Sequence, residues 1–340
     1  MLVSHHYPER PKNVPLEILK PSQAFRKEAI RVVISVIGFI ITYFALVAAA
    51  ITLAFLCVLI GYWVMSYVKN IWVGAFGIGL IGFGVMVVYF LLKFIFNKKV
   101  VDLSSMVELT EKDQPVLFEF LRKLAKETET PLPKHVYVSP DVSATVSYDS
   151  GFWSMFFPVR KNLSIGLGLV NSVNVSEFKA VIAHEFGHFS QKSMKLGSYV
   201  YNLNRIIYDM VFNKNDYERT LQNWGSSSQY FQIFAELTNG TVRIIQNILK
   251  KLYEVINIRY MALSRQMEFH ADAVAASVSG STPLSNALYR LDVADVCYRN
   301  VLEYYSTWIQ QNRKGLNMYE HHTIAMKHFA TRHHLPVKHG

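Results

Sequence analysis

Charged side chains are scarce in this chain of 340 residues: they make up 18% of it, whereas hydrophobic residues make up 51%. An average soluble domain is about 25% charged, so the composition indicates a membrane protein. Cysteine is nearly absent, and Cys57 and Cys297 are too few for a disulfide framework. We predict that both are reduced packing residues. No RNA- or DNA-binding motif accompanies the net charge of +10, so we expect the basic residues to face an anionic membrane surface rather than nucleic acid.

Two long segments, residues 32–67 and 71–92, contain no charged side chain. Each exceeds the roughly 20 residues that a helix needs to cross a bilayer. No Pro or Asn-Gly interrupts the first segment, which favours one helix over two short spans. The second segment carries glycines that would allow close helix packing in a hairpin, although glycine merely tolerated in lipid explains any single one equally well. These glycines are Gly74, Gly77, Gly79, Gly82 and Gly84.

Basic residues flank the two apolar segments unevenly. Six lysines and arginines precede the first segment and three closely follow the second, at Lys93, Lys98 and Lys99, while the short link between them has only Lys69. By the positive-inside rule, both ends of the hairpin should face the cytoplasm. We therefore predict a protein integral to the inner (cytoplasmic) membrane or its equivalent, with no cleaved signal peptide and with the remainder of the chain on the cytoplasmic side.

The chain beyond the apolar segments has the patterning of an α+β domain that is mostly helical. An amphipathic helix is predicted at 113–127, and Asn174 with Glu177 resembles a capping box that opens a helix from about Val175 to Met194. The segment 198–262 is helical in pattern. Within it, residues 241–260 form either a core helix, which we favour, or a helix lying on the membrane. Strands are predicted at His135–Ser139, Ala144–Tyr148 and Leu163–Leu167, a loop at Gly151–Arg160, and a last helix at about 253–277, ending near Gly280.

The sequence A-H-E-F-G-H, from Ala183 to His188, matches the zinc-binding pattern H-E-x-x-H. His184 and His188 are four residues apart, so a helix projects both from one face and lets both imidazoles reach one metal ion. Glu185 lies beside the ligands, where it can take a proton from water that zinc activates at neutral pH. The bare pattern also arises by chance. Its place in a capped helix with apolar neighbours favours a metal site over two surface histidines that bind no metal.

A catalytic zinc usually has three protein ligands, so a third must come from elsewhere. The best candidate is Glu268, with Asp272 one turn later on the same face to hydrogen-bond a ligating histidine. Without the first motif, an ordinary acidic helix surface would be the better interpretation of this pair. His270 should point away. Two histidines and a carboxylate suit one Zn²⁺ per chain best, although other divalent ions could bind the same set.

These residues resemble the family that includes the bacterial heat-shock protease HtpX and the eukaryotic CAAX prenyl protease. The resemblance rests on His184, Glu185, His188, Glu268 and Asp272, and covers roughly residues 100–280. It implies a zincin-like metallopeptidase domain preceded by a transmembrane helical hairpin. The expected organisation is a basic cytoplasmic tail at 1–31, two transmembrane helices at 32–96 and the peptidase domain at 97–340. It also implies that an edge strand formed by Ser143, Ala144, Thr145 and Val146 binds substrate, although related sequences often have Asn-Ala at the first two of these positions.

A second departure from the family lies near the C-terminus. The expected His-Pro box with a nearby arginine is not found, so the group that stabilises the oxyanion is unassigned, and the domain is expected to be truncated or completed differently. Six histidines in this region are interpreted as scattered loop residues rather than as a second metal site. They are His321, His322, His328, His333, His334 and His339.

The sequence therefore predicts a membrane-anchored zinc metalloendopeptidase whose partners are the lipid bilayer and membrane or membrane-associated polypeptides. Protein quality control is one role, and processing of lipidated peptides is a second that the sequence does not separate from it. A catalytically silent, zinc-stabilised membrane scaffold is the alternative, modestly favoured by the missing box. A metal transporter is disfavoured, because the apolar segments carry no ionisable residue to line a pathway. The oligomeric state stays open.

Overall fold

The computed structural model describes residues 7–12, 14–67, 70–93, 106–147, 161–190, 200, 204, 207–208, 210, 215–315 and 317–333. Within these residues a short 3₁₀ turn spans Leu16–Leu19. The helices are α1 (Gln23–Tyr67), α2 (Ile71–Lys93), α3 (Pro115–Glu127), α4 (Leu167–Ser172), α5 (Val175–Ser190), α6 (Asn215–Gly225), α7 (Gln229–Ser279), α8 (Ser281–Gln310) and α9 (Met318–Arg332). The strands are β1 (Val107–Leu109), β2 (Val136–Ser139), β3 (Ala144–Ser147) and β4 (Asn162–Gly166).

Helices α1 and α2 form an antiparallel hairpin, and each is long and apolar enough to cross a membrane. The first apolar segment is one continuous helix, as predicted, and it begins earlier, at Gln23. The hydroxyl of Tyr43 donates a hydrogen bond to the carbonyl oxygen of Leu91 at 2.7 Å, which aligns the middle of α1 with the end of α2. Residues 23–42 of α1 therefore extend beyond the hairpin, toward the rest of the molecule.

The glycines of α2 pack against two different partners rather than against α1 alone. A β-carbon at Gly77 would lie 2.7 Å from Met65 Cγ, and one at Gly84 would lie 2.6 Å from Ala54 Cα, so both permit the close approach of α1. Gly79 and Gly82 instead face Phe234 of α7 and Trp224 of α6. Gly74 has open space around it. The predicted hairpin packing is thus confirmed for two glycines, and α2 uses two others to admit later helices.

A four-stranded sheet lies beyond the hairpin, with strand order β1-β2-β4-β3. β2 and β4 are parallel, and the other pairs are antiparallel. The three predicted strands are confirmed within about one residue, except that Leu167 begins helix α4 and that Tyr148 lies outside the described residues. The predicted loop Gly151–Arg160 also lies outside them. β3 is an edge strand of this sheet, as the substrate-binding prediction requires.

Helix α5 begins at the predicted capping box. The Asn174 amide donates to the Glu177 carboxylate at 3.0 Å, and the Glu177 amide donates to Asn174 Oδ1 at 2.9 Å, so two otherwise unpaired amides are satisfied. At the other end, Lys161 Nζ donates to the carbonyl oxygens of His188 and Phe189 at 3.1 and 3.0 Å. A cation there complements the negative end of the helix dipole. The predicted continuation to Met194 lies outside the described residues.

Helix α7 is continuous over 51 residues, about 77 Å at 1.5 Å per residue. The helices predicted at 241–260 and about 253–277 are parts of this one helix, which begins at Gln229. The prediction that it is the last helix was wrong, because α8 and α9 follow it. Ser228 caps its start by accepting a hydrogen bond from the Phe231 amide, and the helix ends at Gly280, whose φ of 90° favours glycine. Residues 241–260 present one buried face to the helical core, which confirms the core interpretation, and leave the opposite face exposed.

The N-terminal tail packs on helices α5 and α7. Arg10 Nε donates to the Ser277 carbonyl oxygen at 3.2 Å. Lys179 of α5 is fully buried, donates to the Pro8 carbonyl oxygen at 2.8 Å and lies 2.8 Å from the Glu127 carboxylate. Its ammonium also lies 4.3 Å from the centre of the Tyr7 ring. These contacts hold residues 7–12 on the same side of the hairpin as α5.

Candidate metal centre and substrate cleft

Three potential metal ligands converge between helices α5 and α7. His184 Nε2 lies 3.2 Å from His188 Nε2 and 3.3 Å from Glu268 Oε2. The distance from His188 Nε2 to the same carboxylate oxygen is 3.7 Å. Within the part of the chain that the structure describes, this is the one group of three metal-ligating side chains found together. Both imidazoles are partly buried, while Glu268 is 54% exposed, so the cluster opens toward solvent on the α7 side.

The spacing of these atoms fits a tetrahedral metal ion. Ligands bound at 2.0–2.1 Å in tetrahedral geometry lie about 3.3–3.4 Å apart, and the three observed separations of 3.2, 3.3 and 3.7 Å bracket that value. Two imidazole nitrogens and one carboxylate oxygen form a typical donor set for catalytic zinc, with the fourth position left open. The residues present therefore fit a zinc ion.

Asp272 orients the first histidine. Its carboxylate oxygen Oδ1 lies 2.9 Å from His184 Nδ1. When Nδ1 carries the proton and donates it to this carboxylate, Nε2 is left with a lone pair directed at the cluster. The pattern that predicted Asp272 as a partner of a ligating histidine is thus matched by the geometry.

The charged groups of the cluster shift the pKa values of Glu268 and His184. Hydrogen bonds from His184 and His188 hold the pKa of the Glu268 carboxyl well below its usual range. Burial alone would lower the pKa of His184. Its hydrogen bond to Glu268 and the negative charges of Glu185 and Asp272 outweigh burial and raise that pKa. A proton and a metal ion therefore compete for the same imidazole.

We expect Asp272→Asn to weaken zinc binding by about 10–100-fold, the usual cost of losing a carboxylate that orients a ligating histidine. The mechanism is loss of the charge that favours the Nδ1-protonated form of His184. Zinc affinity measured by competition with a chromogenic chelator checks this, with the exposed Glu254→Gln on the same helix as the control. Equal affinities for Asp272→Asn and the control would contradict a role for Asp272 in orienting His184.

Gly187 lets the two ligand-bearing helices approach each other. A β-carbon at this position would lie 2.7 Å from Ala271 Cα and 3.2 Å from the Ala271 carbonyl oxygen. Both neighbours are backbone atoms, which cannot rotate away as a side chain can. Gly187, the second unspecified residue of the H-E-x-x-H pattern, is therefore a contact point between α5 and α7, next to the candidate ligands on both helices.

Glu185 lies beside the ligands and is held by the sheet. The backbone amide of Val146 in β3 donates a hydrogen bond to its carboxylate. Burial raises the pKa of the Glu185 carboxyl above its usual range, although His188 and His184 partly oppose this. A raised pKa makes a carboxylate a stronger proton acceptor.

The free edge of β3 faces this site. The Gly166 amide donates to the Ser143 carbonyl oxygen at 2.8 Å, and the register with β4 continues from Ala144 to Ser147. Because hydrogen-bonded and non-bonded pairs alternate in antiparallel strands, Ser143 and Thr145 bond to β4, whereas the backbone groups of Ala144 and Val146 point outward. The Val146 contact with Glu185 agrees with that alternation. The edge strand predicted for substrate therefore adjoins the predicted base.

A cleft of about 590 Å³ extends from His184 and Glu185 along helix α8. One wall is formed by residues 141–144, which lead into the edge strand, and the other by α8. Near the metal cluster the α8 wall is apolar, with Leu284, Leu288 and Leu291. Further along, it carries Asp292, Asp295 and Arg299, of which Arg299 pairs with Asp295 at 2.8 Å.

Those C-terminal histidines that the structure describes do not join this site. His321, His322 and His328 lie on helix α9, so their interpretation as loop residues was wrong. His322 is fully buried, with Nε2 2.9 Å from the Ala294 carbonyl oxygen and its ring against Tyr298. It joins α9 to α8. His333 caps α9, and His334 and His339 lie outside the described residues. His270 also points away from the cluster, as predicted, toward the Leu19 carbonyl oxygen at 3.2 Å.

The family model of peptidase family M48 matches residues 111–317, more than half of the chain. The chain belongs to this family. The M48 match includes helices α5 and α7, strands β2 to β4 and the cleft, and it confirms the resemblance seen in the paired motifs.

Curated relatives of this M48 chain are HtpX proteases. The protease HtpX homolog of Pelotomaculum thermopropionicum is 25% identical over 201 residues, which cover 58% of this chain and 66% of that protein. Protease HtpX of Haemophilus influenzae is 28% identical over 185 residues, 52% of this chain and 58% of the relative. Protease HtpX of Idiomarina loihiensis is 28% identical over 184 residues, 52% of this chain and 56% of the relative. The matched region spans less than two thirds of each relative. No solved structure matches the chain.

Proposed function

We propose that the chain is a membrane-anchored, zinc-dependent metalloendopeptidase in which His184, His188 and Glu268 hold one zinc ion and Glu185 is the catalytic base. The observation that carries the proposal is the convergence of the three ligand atoms within 4.8 Å of one another, with Glu185 adjacent. Membership of peptidase family M48 supports it. Asp272 is proposed to hold His184 in its ligating orientation.

Bound zinc would supply a Lewis acid for the scissile carbonyl and would activate water at neutral pH. Glu185 is placed to accept the proton of that water and to return it to the leaving amine. The Val146 amide orients its carboxylate, and burial raises the pKa of this group, which makes it a stronger proton acceptor. Asp272 keeps the Nε2 lone pair of His184 directed at the cluster.

We propose that an extended polypeptide binds to the edge formed by Ser143, Ala144, Thr145 and Val146. The outward-facing backbone groups of Ala144 and the carbonyl group of Val146 would bond to the substrate main chain, a mode of binding that is largely independent of sequence. The leucines of α8 would accept an apolar side chain near the scissile bond, and the carboxylates beyond them favour a basic one further along. The apolar hairpin supports membrane or membrane-associated substrates, with protein quality control as the proposed role and processing of lipidated peptides as the second.

The proposed organisation is a basic tail at 1–31, a transmembrane hairpin at 32–96 and a peptidase domain at 97–340, in the inner membrane or its equivalent. The basic flanks of the hairpin support a cytoplasmic peptidase domain. The tail contacts α5 and α7, which supports a location of the tail and the peptidase domain on the same side of the membrane.

Metal analysis and casein cleavage on detergent-purified protein test the proposal. We expect one zinc per chain, cleavage of casein, loss of cleavage after removal of zinc by a chelator, and recovery on adding one equivalent of zinc. Zinc content without cleavage would instead indicate the zinc-stabilised scaffold. Absence of zinc would mean that His184, His188 and Glu268 do not form a metal site.

A further inference from the structure

Residues 7–12, which we call the N-terminal strap, join the two helices that carry the candidate metal ligands. Lys179 Nζ of α5 donates a hydrogen bond to the Pro8 carbonyl oxygen at 2.8 Å. Arg10 Nε donates to the Ser277 carbonyl oxygen of α7 at 3.2 Å. The strap therefore ties α5 to α7, in addition to the direct packing of these helices against each other.

The strap covers a buried ammonium group. Lys179 is fully buried, and its Nζ lies 2.8 Å from the Glu127 carboxylate and 4.3 Å from the centre of the Tyr7 ring. Burial lowers the pKa of this ammonium group, although Glu127 partly opposes the shift. Glu127 belongs to α3 and stays in place when the strap leaves, so Lys179 would regain water without losing its charged partner.

The strap itself lies on the surface rather than in the core. All six of its residues keep part of their surface exposed to solvent. Pro8 and Pro11 limit the conformations that the segment loses on docking. Docking also withdraws the Lys179 ammonium from water, and that cost offsets much of what its new contacts contribute. The free energy that holds the strap is therefore a small difference, which allows the strap to open while the domain stays folded.

The contacts of the strap lie on the same continuous helices as the metal cluster. Lys179 lies five residues before His184 in α5, and Ser277 lies nine residues after Glu268 in α7. Because a metal ion needs His184 and Glu268 at fixed separation, a segment that fixes α5 against α7 also favours the arrangement that binds the ion.

We propose that the N-terminal strap is a reversible latch whose closure holds α5 against α7 and thereby strengthens zinc binding. By linkage, zinc must then strengthen closure of the strap by the same factor. Coupling of this kind is typically about 5–150-fold. We expect a factor near the lower end, about five to ten, since the contact of Gly187 with Ala271 also holds the two helices together. The inference rests on the proposed zinc site and not on the proposed catalysis.

Chemical modification of Lys179 measures the latch directly on the full, detergent-purified chain. An amine-specific acylating reagent reaches this buried group only when the strap opens, and mass spectrometry of the peptides gives its rate. Saturating zinc should slow modification of Lys179 about five- to tenfold relative to the zinc-free chain. The thiol of Cys297, buried in α8, reports wider unfolding when a maleimide is added to parallel samples.

This comparison needs no variant and separates the latch from its rivals. A zinc-independent rate at Lys179 would overturn the coupling alone, and the zinc site would stand. Slowing of Lys179 and Cys297 by the same factor would overturn the latch, since zinc would then oppose general unfolding only. A chain that binds no zinc would overturn the metal site and the coupling together.

A double substitution, Tyr7→Ala with Arg10→Ala, opens the strap from both ends. Loss of one ring contact and one hydrogen bond should raise the rate of Lys179 modification about tenfold and leave that of Cys297 unchanged. Zinc affinity, measured by competition with a chromogenic chelator, should fall about five- to tenfold. Glu9→Gln, at an exposed position of the strap, is the control and should change neither quantity. Faster modification of Lys179 with unchanged zinc affinity would overturn the coupling.

Discussion

Replacement of Glu185 by glutamine is expected to reduce casein cleavage by about 10²–10⁴-fold, the usual contribution of a positioned general base, and to leave one zinc per chain. Glutamine keeps the size of the side chain and can still accept the Val146 amide hydrogen bond, but it cannot take a proton from water. Parallel assays of cleavage and zinc content on the same preparation make this measurement.

Glu303→Gln is the control for this experiment. It makes the same chemical change at an exposed position of α8, and it should leave both cleavage and zinc content unchanged. Retained cleavage in Glu185→Gln would contradict the assignment of Glu185 as the base. Loss of zinc together with cleavage would also contradict it, since Glu185 would then be needed for the metal rather than for proton transfer.

Replacement of Gly187 by alanine is expected to force the two ligand-bearing helices apart. The added β-carbon would lie 2.7 Å from Ala271 Cα, and overpacking of this kind costs about 1–3 kcal/mol. Since 1.4 kcal/mol is a factor of about ten in binding, zinc affinity should fall at least about tenfold wherever the strain is relieved by separating α5 from α7. Zinc competition and thermal unfolding measure the two effects.

Gly240→Ala is a matched control, because the same substitution on α7 meets no atom within 4 Å. Alanine is the better helix former by about 1 kcal/mol, so this variant should be at least as stable as the parent chain and should bind zinc equally well. Similar losses of zinc affinity in both variants would show that glycine matters through helix flexibility and not through the contact with Ala271.

The local parts of the site could be predicted from the sequence, because local spacing determines them. The spacing of four between His184 and His188 places both on one face, and Asn174 with Glu177 fixes the start of their helix. The role of Glu268 required a second motif, since an acidic residue on a helix says nothing by itself about distant histidines. Family resemblance located the edge strand, and its register with β4 then explained which amides face Glu185.

Other parts depend on contacts that no local pattern records. The Val146 amide reaches Glu185 only through the pairing of β3 with β4, and Lys161 reaches the end of α5 from a position 27 residues earlier. The early turns of α7 contain Gln, Asn, Thr and Gly240, so the helical pattern of this region does not show where the helix begins. Packing against α1, α2 and α6 stabilises them, so tertiary contacts override the local preference.

Because α7 is one continuous helix, it connects the apolar hairpin directly to the metal site. From Tyr230, beside Trp72, to Glu268 the helix runs about 57 Å without a break. If α7 tilted by about 2° around its end at Tyr230, Glu268 would move by about 2 Å. That displacement is as long as a zinc–ligand bond. The metal site can therefore keep its geometry only while α7 keeps its angle to α5, and the packing of α7 on α1 and α2 helps to hold that angle.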